Sequence, residues 1–232
     1  MKYPLVSCLM PTKNRRAFWP RTFKMFEAQD YPNKELIILE DGDSREKGDG
    51  YLGIGSGFAK YIRFEGTLGA KLNKGAELAS GSICLNWDDD DWNSPTRISD
   101  QVRHMQLSGK PVAGMSSLIF YAEGQPEGWE YTGDAWYASG STHCYTRDYI
   151  LAHPRPDKTV GEDNDWILEA HQLNAVSTLS GIRSLVACDH RDNCSARIFG
   201  TELYQLIRET SDNFRRVPLS EFAETIGPYG SH

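Results

Sequence analysis

The sequence predicts an α/β protein with a mixed, mainly parallel central sheet and helices on both faces. Two short apolar runs, at residues 5–10 and 36–39, lack the alternation of a half-exposed strand and therefore predict strands buried on both faces. Between them, residues 20–29 carry Phe23 and Phe26 three positions apart, which predicts an amphipathic helix. Strand, helix and strand within about forty residues form a β-α-β unit, for which a right-handed crossover is the rule.

The same alternation continues through the first half of the chain. Serine and proline favour the first positions of a helix, and glycine favours the position after its last turn, so these residues mark the expected helix ends. The elements predicted in this half are a charged, glycine-rich loop at 42–57, a short strand at 61–64, a helix at 70–79 that ends at Gly81, a strand at 83–87, and a helix that starts with Ser94 and Pro95 and ends near Gly109.

The second half of the chain is less regular. Residues 111–150 alternate short β-like runs with loops rich in glycine and tryptophan, and helices are predicted at 165–171 and from residue 203 onward. A length of 232 residues suits one domain. We therefore predict a single domain over residues 1–210, with a Rossmann-like nucleotide-binding half at about 1–110 and a more variable half at 111–210, followed by a weakly ordered tail at 211–232.

Composition argues against several classes of protein. A formal net charge of −7 disfavours nonspecific binding to nucleic acid or to anionic lipid. No apolar run approaches the ~20 residues that cross a bilayer, and no signal peptide precedes the first strand, so we predict no transmembrane segment. Five cysteines without CxxC spacing fit reduced thiols and therefore a cytoplasmic protein. Association with the inner face of a membrane and the oligomeric state both stay open.

Residues 88–91 are four consecutive aspartates that follow the predicted strand at 83–87. Ligand sites in open α/β sheets lie beyond the carboxyl ends of the strands. Adjacent carboxylates repel one another unless a cation is present, and a set of oxygen ligands favours Mg²⁺ or Mn²⁺, which in turn bind diphosphate oxygens. An acidic run of this kind is otherwise a solvated turn. The buried strand before it and Trp92 after it favour the metal site.

A second acidic cluster lies at residues 161–166, where Glu162 and Asp163 precede a predicted helix. A carboxylate here could take the proton of an attacking hydroxyl group. The alternative is a purely structural role, because acidic residues stabilise the first turn of a helix through its dipole. Two single residues stand out as well. Asp41, after the strand at 36–39, could bind a base or a ribose or be a turn residue, and His190 could bind a metal or a phosphate or be structural.

Taken together and in this order, the motifs resemble those of the family 2 glycosyltransferases, which have the GT-A fold. The resemblance covers about residues 4–200 and is specific for the family but not for the sugar. The segments that carry it are VSCLMPTKNR at 6–15, QDYPNKELII at 29–38, EDGD at 40–43, NKG at 73–75, WDDDDW at 87–92, GED at 161–163, and the spacing His190-x-x-Asn193-x-Ser195.

The resemblance implies a metal-dependent, inverting transfer of a sugar from a nucleotide diphosphate, with a UDP-sugar favoured, to a hydroxyl group of a glycan or glycoconjugate acceptor. It implies Mn²⁺ or Mg²⁺ as cofactor, with Asp90 as a direct ligand and His190 as a further metal or diphosphate contact. Asp163 would be the catalytic base, and Glu162 would bind the acceptor or orient the site. The implied donor-binding residues are Pro11, Thr12, Asn14, Arg15, Asp41, Lys71, Asn73, Asp88 and Asp89, and the implied acceptor-binding residues are Trp136, Ser139 and Trp166.

Two departures from the family pattern concern the donor site. Leu72 stands where many relatives have an arginine that helps to hold the nucleotide, so either Lys71 or Lys74 substitutes for it or the donor site differs. A lysine is a point charge without the bidentate fork of arginine, so the replacement would not be equivalent. Asp43 stands where serine is frequent, which bears on base preference.

Two other functions compete with sugar transfer. A nucleotidyltransferase would need a basic, glycine-rich loop after the first strand, and the turn at 11–15 contains no glycine. A catalytically silent module that binds a sugar nucleotide or a glycan would not need Glu162 and Asp163, and both are present.

Overall fold

The structure, a computed structural model, describes residues 3–42, 50–54, 57–190, 193 and 201–226. Its described residues contain one mixed sheet. The strands are β1 (Val6–Lys13), β2 (Lys34–Asp41), β3 (Gly50–Ile54), β4 (Gly57–Arg63), β5 (Ile83–Asn86), β6 (Trp92–Asn93), β7 (Val112–Tyr121), β8 (Glu127–Thr132), β9 (Cys144–Thr146), β10 (Val176–Ser180), β11 (Leu185–Cys188) and β12 (Phe214–Pro218).

Helices connect most of these strands. The α-helices are α1 (Trp19–Glu27), α2 (Leu68–Leu78), α3 (Arg97–Ser108), α4 (Arg147–Ala152), α5 (Glu162–Gln172), α6 (Thr201–Thr210) and α7 (Leu219–Ile226). Short 3-10 turns lie at Arg16–Phe18 and Gly140–Thr142. Within the part of the chain that the structure describes, no helix is long and apolar enough to cross a membrane.

The strands follow the order β12-β8-β7-β9-β5-β1-β2-β4-β3, and β6, β10 and β11 lie off this path. Strands β5, β1, β2 and β4 run parallel, as the β-α-β pattern predicts. Strands β7, β8, β9 and β12 join them through antiparallel pairs. The predicted mixed sheet is confirmed, and its parallel part contains the two apolar runs of the sequence.

Both faces of the parallel strands are covered by helices, which explains why the runs at 5–10 and 36–39 are apolar throughout. Along β1, Met10 faces a core that includes Met25 of α1 and Ile98 of α3. Leu9, the next residue along, faces a second core that includes Leu72 of α2 and residues of α4 and α5. A strand between two apolar layers has no face that water reaches, so neither face favours polar residues.

In the first half of the chain, helix boundaries differ from the predictions at two places. Helix α3 starts at Arg97 rather than after Ser94, because the Ser94 carbonyl oxygen accepts the Gln29 side-chain N–H at 2.6 Å and its backbone N–H donates to the Ser184 carbonyl oxygen at 3.0 Å. Gly81 does not cap α2, which ends at Leu78 and is followed by Ala79 in extended conformation. Gly109, by contrast, ends α3 in the left-handed conformation, with φ of 67°, as predicted.

Residues 50–54, which were expected to belong to a loop, form β3 and pair antiparallel with β4. The predicted strand at 61–64 is therefore the second half of a longer strand in a hairpin. The run GYLGI contains two glycines and one clear apolar alternation, so its pattern was too weak to predict a strand.

The prediction of a weakly ordered tail after residue 210 is wrong for residues 211–226. Strand β12 pairs antiparallel with β8 over five residue pairs, from Phe214 opposite Tyr131 to Pro218 opposite Glu127. Val217 of β12 and Phe222 of α7 are 1% and 2% exposed and belong to the core of the sheet. The domain therefore continues through residue 226, and residues 227–232 lie outside the described residues.

Replacement of Phe222 by alanine tests whether α7 belongs to the cooperative core. The phenyl ring packs edge-on against Tyr121, with ring centroids 5.3 Å apart. Because truncation of a buried phenylalanine removes apolar contacts and leaves a cavity, we expect the free energy of unfolding in urea to fall by roughly 3–5 kcal/mol. Leu107→Ala is the matched control, since Leu107 is 82% exposed. An unfolding free energy of Phe222→Ala equal to that of this control would show that α7 is not part of the core.

Candidate active site

An open cleft of about 1240 Å³ lies beyond the carboxyl ends of β1 and β5 and next to the N-terminus of α5. It brings the first strand, the aspartate run and the second acidic cluster to one place, although they are far apart in sequence. The predicted site residues that line it are Pro11, Arg15, Asp88, Asp90, Ser139, Glu162, Asp163 and His190.

Asp41 ends β2 beside the cleft and is held by two lysines. Lys71 donates to its Oδ1 at 2.8 Å and to the Thr12 carbonyl oxygen at 3.0 Å, and Lys13 lies 3.5 Å from its Oδ2. Lys74 instead pairs with exposed Glu77. Of the two lysines that could replace the missing arginine, Lys71 is therefore the one located at Asp41.

Leu72 is 1% exposed and lines the cleft. At the position where an arginine was expected, Leu72 gives the cleft an apolar surface. The cation that Asp41 binds thus comes from the preceding residue of α2, Lys71, which is buried with it. Asp41 and Lys71 are each 6% exposed and neither lines the cleft, so their roles in donor binding stay predictions.

Thr12 and Asp89 form a buried contact that holds β1 to the aspartate run. The Thr12 hydroxyl donates to Asp89 Oδ2 at 2.5 Å, and Arg15 forms an ion pair with Asp89 Oδ1 at 2.6 Å. Asp89 is 0% exposed. Its carboxylate and the Thr12 hydroxyl are turned into the fold, so their positions do not support direct contact of these two side chains with a donor.

Asp90 lies between two cationic or polar partners at the cleft. Its Oδ2 accepts hydrogen bonds from Arg15 at 2.6 Å and from His190 Nε2 at 2.9 Å. Burial of the Asp90 carboxyl opposes its ionisation, but the hydrogen bond from His190 and the charge of Arg15 outweigh burial and lower its pKa. Phe18 stacks on the His190 ring with centroids 4.9 Å apart and so fixes its orientation.

The negative charges of the other three aspartates of the run are only partly compensated by nearby cations. Burial, followed by the charge of Asp90, raises the pKa of Asp88 to about 6. Burial also raises the pKa of Asp89 to about 7 and, with Asp90 and Asp88 as further causes, the pKa of Asp91 well above its ordinary value. A carboxylate cluster with raised pKa values is one that an additional cation would stabilise.

The donor set fits a divalent cation that completes its coordination with substrate oxygens. Asp90 offers a carboxylate oxygen and His190 an imidazole nitrogen 2.9 Å from it. Among the described residues, no three or more His, Cys, Asp or Glu side chains converge as a complete metal site. Mg²⁺ in phosphate-handling sites usually takes one or two carboxylates and completes its shell with phosphate and water. Asp90 and His190 suit that arrangement.

The second acidic cluster forms the first turn of α5, which starts at Glu162 and not at residue 165 as predicted. Gly161 precedes it in the left-handed conformation, with φ of 74°. A Cβ atom on Gly140 would lie 2.5 Å from Asp163 Oδ2, so only a glycine there leaves room for this carboxylate. Gly140 is a site residue whose role the sequence did not reveal, because its partner lies on another element.

Glu162 is buried beside Asp163 and Arg155. Burial and the charge of Asp163 raise the pKa of Glu162 to about 7, against the opposing charge of Arg155. Arg155 Nη1 lies 3.8 Å from Glu162 Oε1. At the start of α5 the half-buried carboxylate of Asp163 thus lies next to the carboxyl group of Glu162, which is half protonated near neutral pH.

The acceptor side differs from the prediction at both tryptophans. Trp166 is wrong as an acceptor contact, because it is 1% exposed and packs in the core against Tyr145 and Tyr149. Trp136 does not line the cleft either, since its ring stacks on His171 with centroids 4.6 Å apart. The aromatic residue that lines the cleft next to Ser139 is Tyr137.

Two asparagines predicted to bind the donor are placed differently. Both polar atoms of the Asn73 amide group bind the backbone of Arg155, and its donor role stays a prediction. Asn14 is exposed in the left-handed conformation, with φ of 54°, beside Gly42. It does not line the cleft, and its role stays a prediction.

The late motif is described at two of its three positions. Asn193 Oδ1 accepts the backbone N–H of His190 at 2.5 Å, and its Nδ2 donates to the Cys188 carbonyl oxygen at 3.0 Å. The asparagine thus closes the turn that presents His190 to Asp90. Ser195, and likewise Asp43, lie outside the described residues. The described cysteines at 8, 84, 144 and 188 are buried free thiols.

Arg97 is a further residue that the sequence did not indicate. It is fully buried at the start of α3 and donates to the Asn86 carbonyl oxygen at 2.8 Å and to the Ser141 carbonyl oxygen at 2.7 Å. These bonds join the end of β5 to the turn that contains Gly140. Charged residues at helix starts are usually exposed, so nothing in the sequence marks Arg97 as buried.

The raised pKa of Glu162 predicts how pH affects stability. The folded protein keeps this proton up to about pH 7, whereas the unfolded chain releases it near its ordinary value. Wild type should therefore lose stability relative to Glu162→Gln as pH rises from about 4.5 to about 7, by at most about 1.4 kcal/mol per pH unit. Urea unfolding at a series of pH values measures this difference. Asp165→Asn is the control, because Asp165 is exposed on the same helix and pairs with a lysine, Lys158, which stays charged over this pH range. A pH-independent difference for Glu162→Gln would contradict the assignment.

Known proteins resemble this chain in sequence and in fold. Residues 7–159 match the sequence profile of the family described as Glycosyl transferase family 2. Over 107 residues the chain is 36% identical to WcaA of Escherichia coli (strain K12), a glycosyl transferase assigned provisionally to colanic acid biosynthesis. That match covers 44% of this chain and 38% of WcaA. The chain thus spans well under half the length of this curated relative.

Solved structures match over more of the chain. The S. aureus TarS fragment 1–349 in complex with UDP-GlcNAc has a TM-score of 0.64 at 14% identity, over 88% of this chain and 65% of that one. The mannosyltransferase PcManGT of Pyrobaculum calidifontis, in complex with GDP-Man and Mn²⁺, has a TM-score of 0.57 at 13% identity, over 82% and 57%. These likenesses concern the fold. The chain belongs to glycosyl transferase family 2 and has the GT-A fold.

Proposed function

We propose that this protein is a metal-dependent, inverting glycosyltransferase that moves a sugar from a nucleotide diphosphate to a hydroxyl group of a glycan or glycoconjugate. The observation that carries the proposal is the composition of the cleft. It is lined at one place by the Asp90 and His190 pair, which suits a metal-bound diphosphate, and by Asp163, which suits a base. A module that only bound a sugar nucleotide would not need a base such as Asp163.

Asp41 is assigned to bind the nucleotide base of the donor. Its carboxylate can accept the N–H group at N3 of uracil or at N1 of guanine, whereas N3 of neutral cytosine carries no hydrogen. Lys71 neutralises part of its charge and fixes its direction. We favour a UDP-sugar, since TarS has been solved with UDP-GlcNAc, and PcManGT with GDP-Man makes a guanine nucleotide the alternative.

The end of the cleft lined by Arg15, Asp88, Asp90 and His190 is assigned to the diphosphate and its metal ion. Asp90 and His190 would hold Mn²⁺ or Mg²⁺, and PcManGT has been solved with Mn²⁺. When bound, the ion would supply Lewis-acid stabilisation of the diphosphate leaving group. Arg15, which bridges Asp89 and Asp90, lines the same end of the cleft and offers a guanidinium group suited to phosphate oxygens.

Asp163 is assigned as the base. The acceptor hydroxyl oxygen forms a bond to the anomeric carbon while the bond from that carbon to the diphosphate oxygen breaks, and Asp163 takes the hydroxyl proton. Attack opposite the leaving group inverts the anomeric configuration. Ser139 and Tyr137 line the adjacent part of the cleft and are assigned to the acceptor side. Likeness to WcaA supports polysaccharide biosynthesis as the pathway, and a cytoplasmic location stays part of the proposal.

The substitution Asp163→Asn separates transfer from donor binding. The variant keeps the shape of the side chain but cannot take a proton, so we expect transfer from a UDP-sugar to fall by about 10²- to 10⁴-fold. Binding of UDP with Mn²⁺ should persist in the variant. It should stabilise wild type and Asp163→Asn alike against thermal unfolding, by roughly 2.7 kcal/mol at a ligand concentration of 100 Kd. GDP, CDP and dTDP, each with and without Mn²⁺, complete the thermal-shift panel.

Asp165→Asn is the matched control, because this exposed aspartate lies on the same turn and pairs with Lys158. It should leave transfer nearly unchanged. Turnover by Asp163→Asn at the rate of this control would show that the base is assigned wrongly. If wild type binds a nucleotide and transfers nothing, the protein is a binding module.

A further inference from the structure

Helix α2 of the donor half is fastened to the segment that precedes α5. Thr67 at its start donates to Asp157 Oδ1 at 2.7 Å, and the Gly69 backbone N–H donates to the Lys158 carbonyl oxygen at 3.1 Å. A Cβ atom on Gly69 would overlap the carbonyl oxygen of Pro156. Residues 156–158 therefore lie directly on the first turn of α2.

Asn73, one turn further along α2, clamps the backbone of Arg155. Its Oδ1 accepts the Arg155 N–H and its Nδ2 donates to the Arg155 carbonyl oxygen, both at 2.9 Å. An amide that satisfies both backbone groups of one residue fixes the position of that residue more closely than a single bond does. The Asn73 side chain thereby fixes the position of the Arg155 Cα atom, from which the guanidinium side chain extends.

The Arg155 guanidinium is held from two further sides. Its Nη2 donates to His143 Nδ1 at 2.8 Å, and His143 Nε2 bonds the Ala138 carbonyl oxygen at 2.9 Å. Burial and the charge of Arg155 move the pKa of His143 well below its ordinary value, so the ring is neutral and can accept this bond. The guanidinium also lies over the Trp166 ring, 4.3 Å from its centroid.

In this position Arg155 faces Glu162. The two side chains are 0% and 5% exposed, and Nη1 lies 3.8 Å from Oε1. Within the described residues, Nη1 and Nε of this buried guanidinium have no hydrogen-bond partner. Asp163 is the charged neighbour of Glu162 on α5 itself and opposes the effect of Arg155. A buried ion pair that loses one partner leaves an uncompensated charge, so Glu162 depends on Arg155.

We propose that Arg155 is a positioning residue which, held by Asn73, fixes Glu162 and the first turn of α5 relative to the donor half. The connection runs from α2 through Asn73 and Arg155 to Glu162, the residue next to Asp163. This inference rests on the proposed function, because it assigns the connection to the alignment of the base with the donor. Neither Asn73 nor Arg155 lines the cleft, and the Asn73 amide is engaged by the Arg155 backbone.

The first test needs no activity. The carboxyl group of Glu162 is followed by ¹³C NMR during a pH titration, with Glu162→Gln to identify its signal. Removal of a nearby cation disfavours the ionised carboxylate, so Arg155→Met should move the titration midpoint of Glu162 to higher pH. Arg155→Lys keeps the positive charge but lacks the planar guanidinium group, so it should move the midpoint of Glu162 less. An unchanged midpoint in Arg155→Met would overturn the proposal.

The second test uses kinetics with a UDP-sugar. Because misplacement of a reacting group is costly, Arg155→Met and Asn73→Ala should lower kcat by about 10- to 100-fold. The KM for the donor and the Kd for UDP should stay within about twofold, since neither change touches the Asp41 site. Lys74→Ala, half-buried on the same helix and paired with exposed Glu77, is the control. Asn73→Ala also covers the case in which Arg155→Met fails to fold, because it keeps the buried guanidinium.

The outcomes separate this inference from the proposed function. A wild-type protein that binds neither UDP nor GDP and transfers no sugar refutes the proposed function. The NMR titration still reports whether Arg155 controls Glu162. Equal losses of donor binding and of kcat in Asn73→Ala would show that Asn73 acts on the donor site. Kinetics of Asn73→Ala equal to those of Lys74→Ala would show that Asn73 positions nothing.

Discussion

The aspartate run at 88–91 places several negative charges in a largely buried position, and much of the surrounding structure compensates them. Arg15 contacts Asp89 and Asp90, and His190 contacts Asp90. The charge of buried Arg97 lowers the pKa values of Asp88 and Asp91. These partners come from the turn after β1, from the end of β11 and from α3. Their convergence brings distant segments together at the carboxyl ends of the parallel strands. The compensation is incomplete, because burial still raises the pKa values of Asp88, Asp89 and Asp91.

The same requirement explains why two halves with different patterns form one domain. The donor half supplies the strand ends and α2, and the second half supplies the turn with Gly140, the helix α5 and His190. Buried arginines join them, since Arg97 bonds the carbonyl oxygens of Asn86 and Ser141, and Arg155 connects Asn73 to Glu162. A guanidinium group can bind several acceptors at once, which suits it to this position between segments.

The sequence predicted the parallel core and most of the cleft. Apolar runs without alternation identified β1, β2 and β5, and the motifs that follow β1 and β5 provided Arg15, Asp88 and Asp90. Side-chain direction was harder to predict, because a motif names a position but not the face of the helix it occupies. Asn73 and Trp166 lie inside motifs and yet point into the fold. Strand β12 escaped prediction because FRRVP has a single buried apolar residue, Val217, whose partner strand lies some 85 positions earlier.

The most direct test of this account is the binding of Mn²⁺, followed by the loss of its free-ion EPR signal with and without UDP. We expect weak binding by the protein alone and much tighter binding with UDP, because Asp90 and His190 offer only part of a coordination shell and the diphosphate supplies the rest. Asp90→Asn should abolish this gain. If UDP leaves the affinity for Mn²⁺ unchanged, or if Asp90→Asn binds as wild type does, the aspartate run is not the metal and diphosphate site.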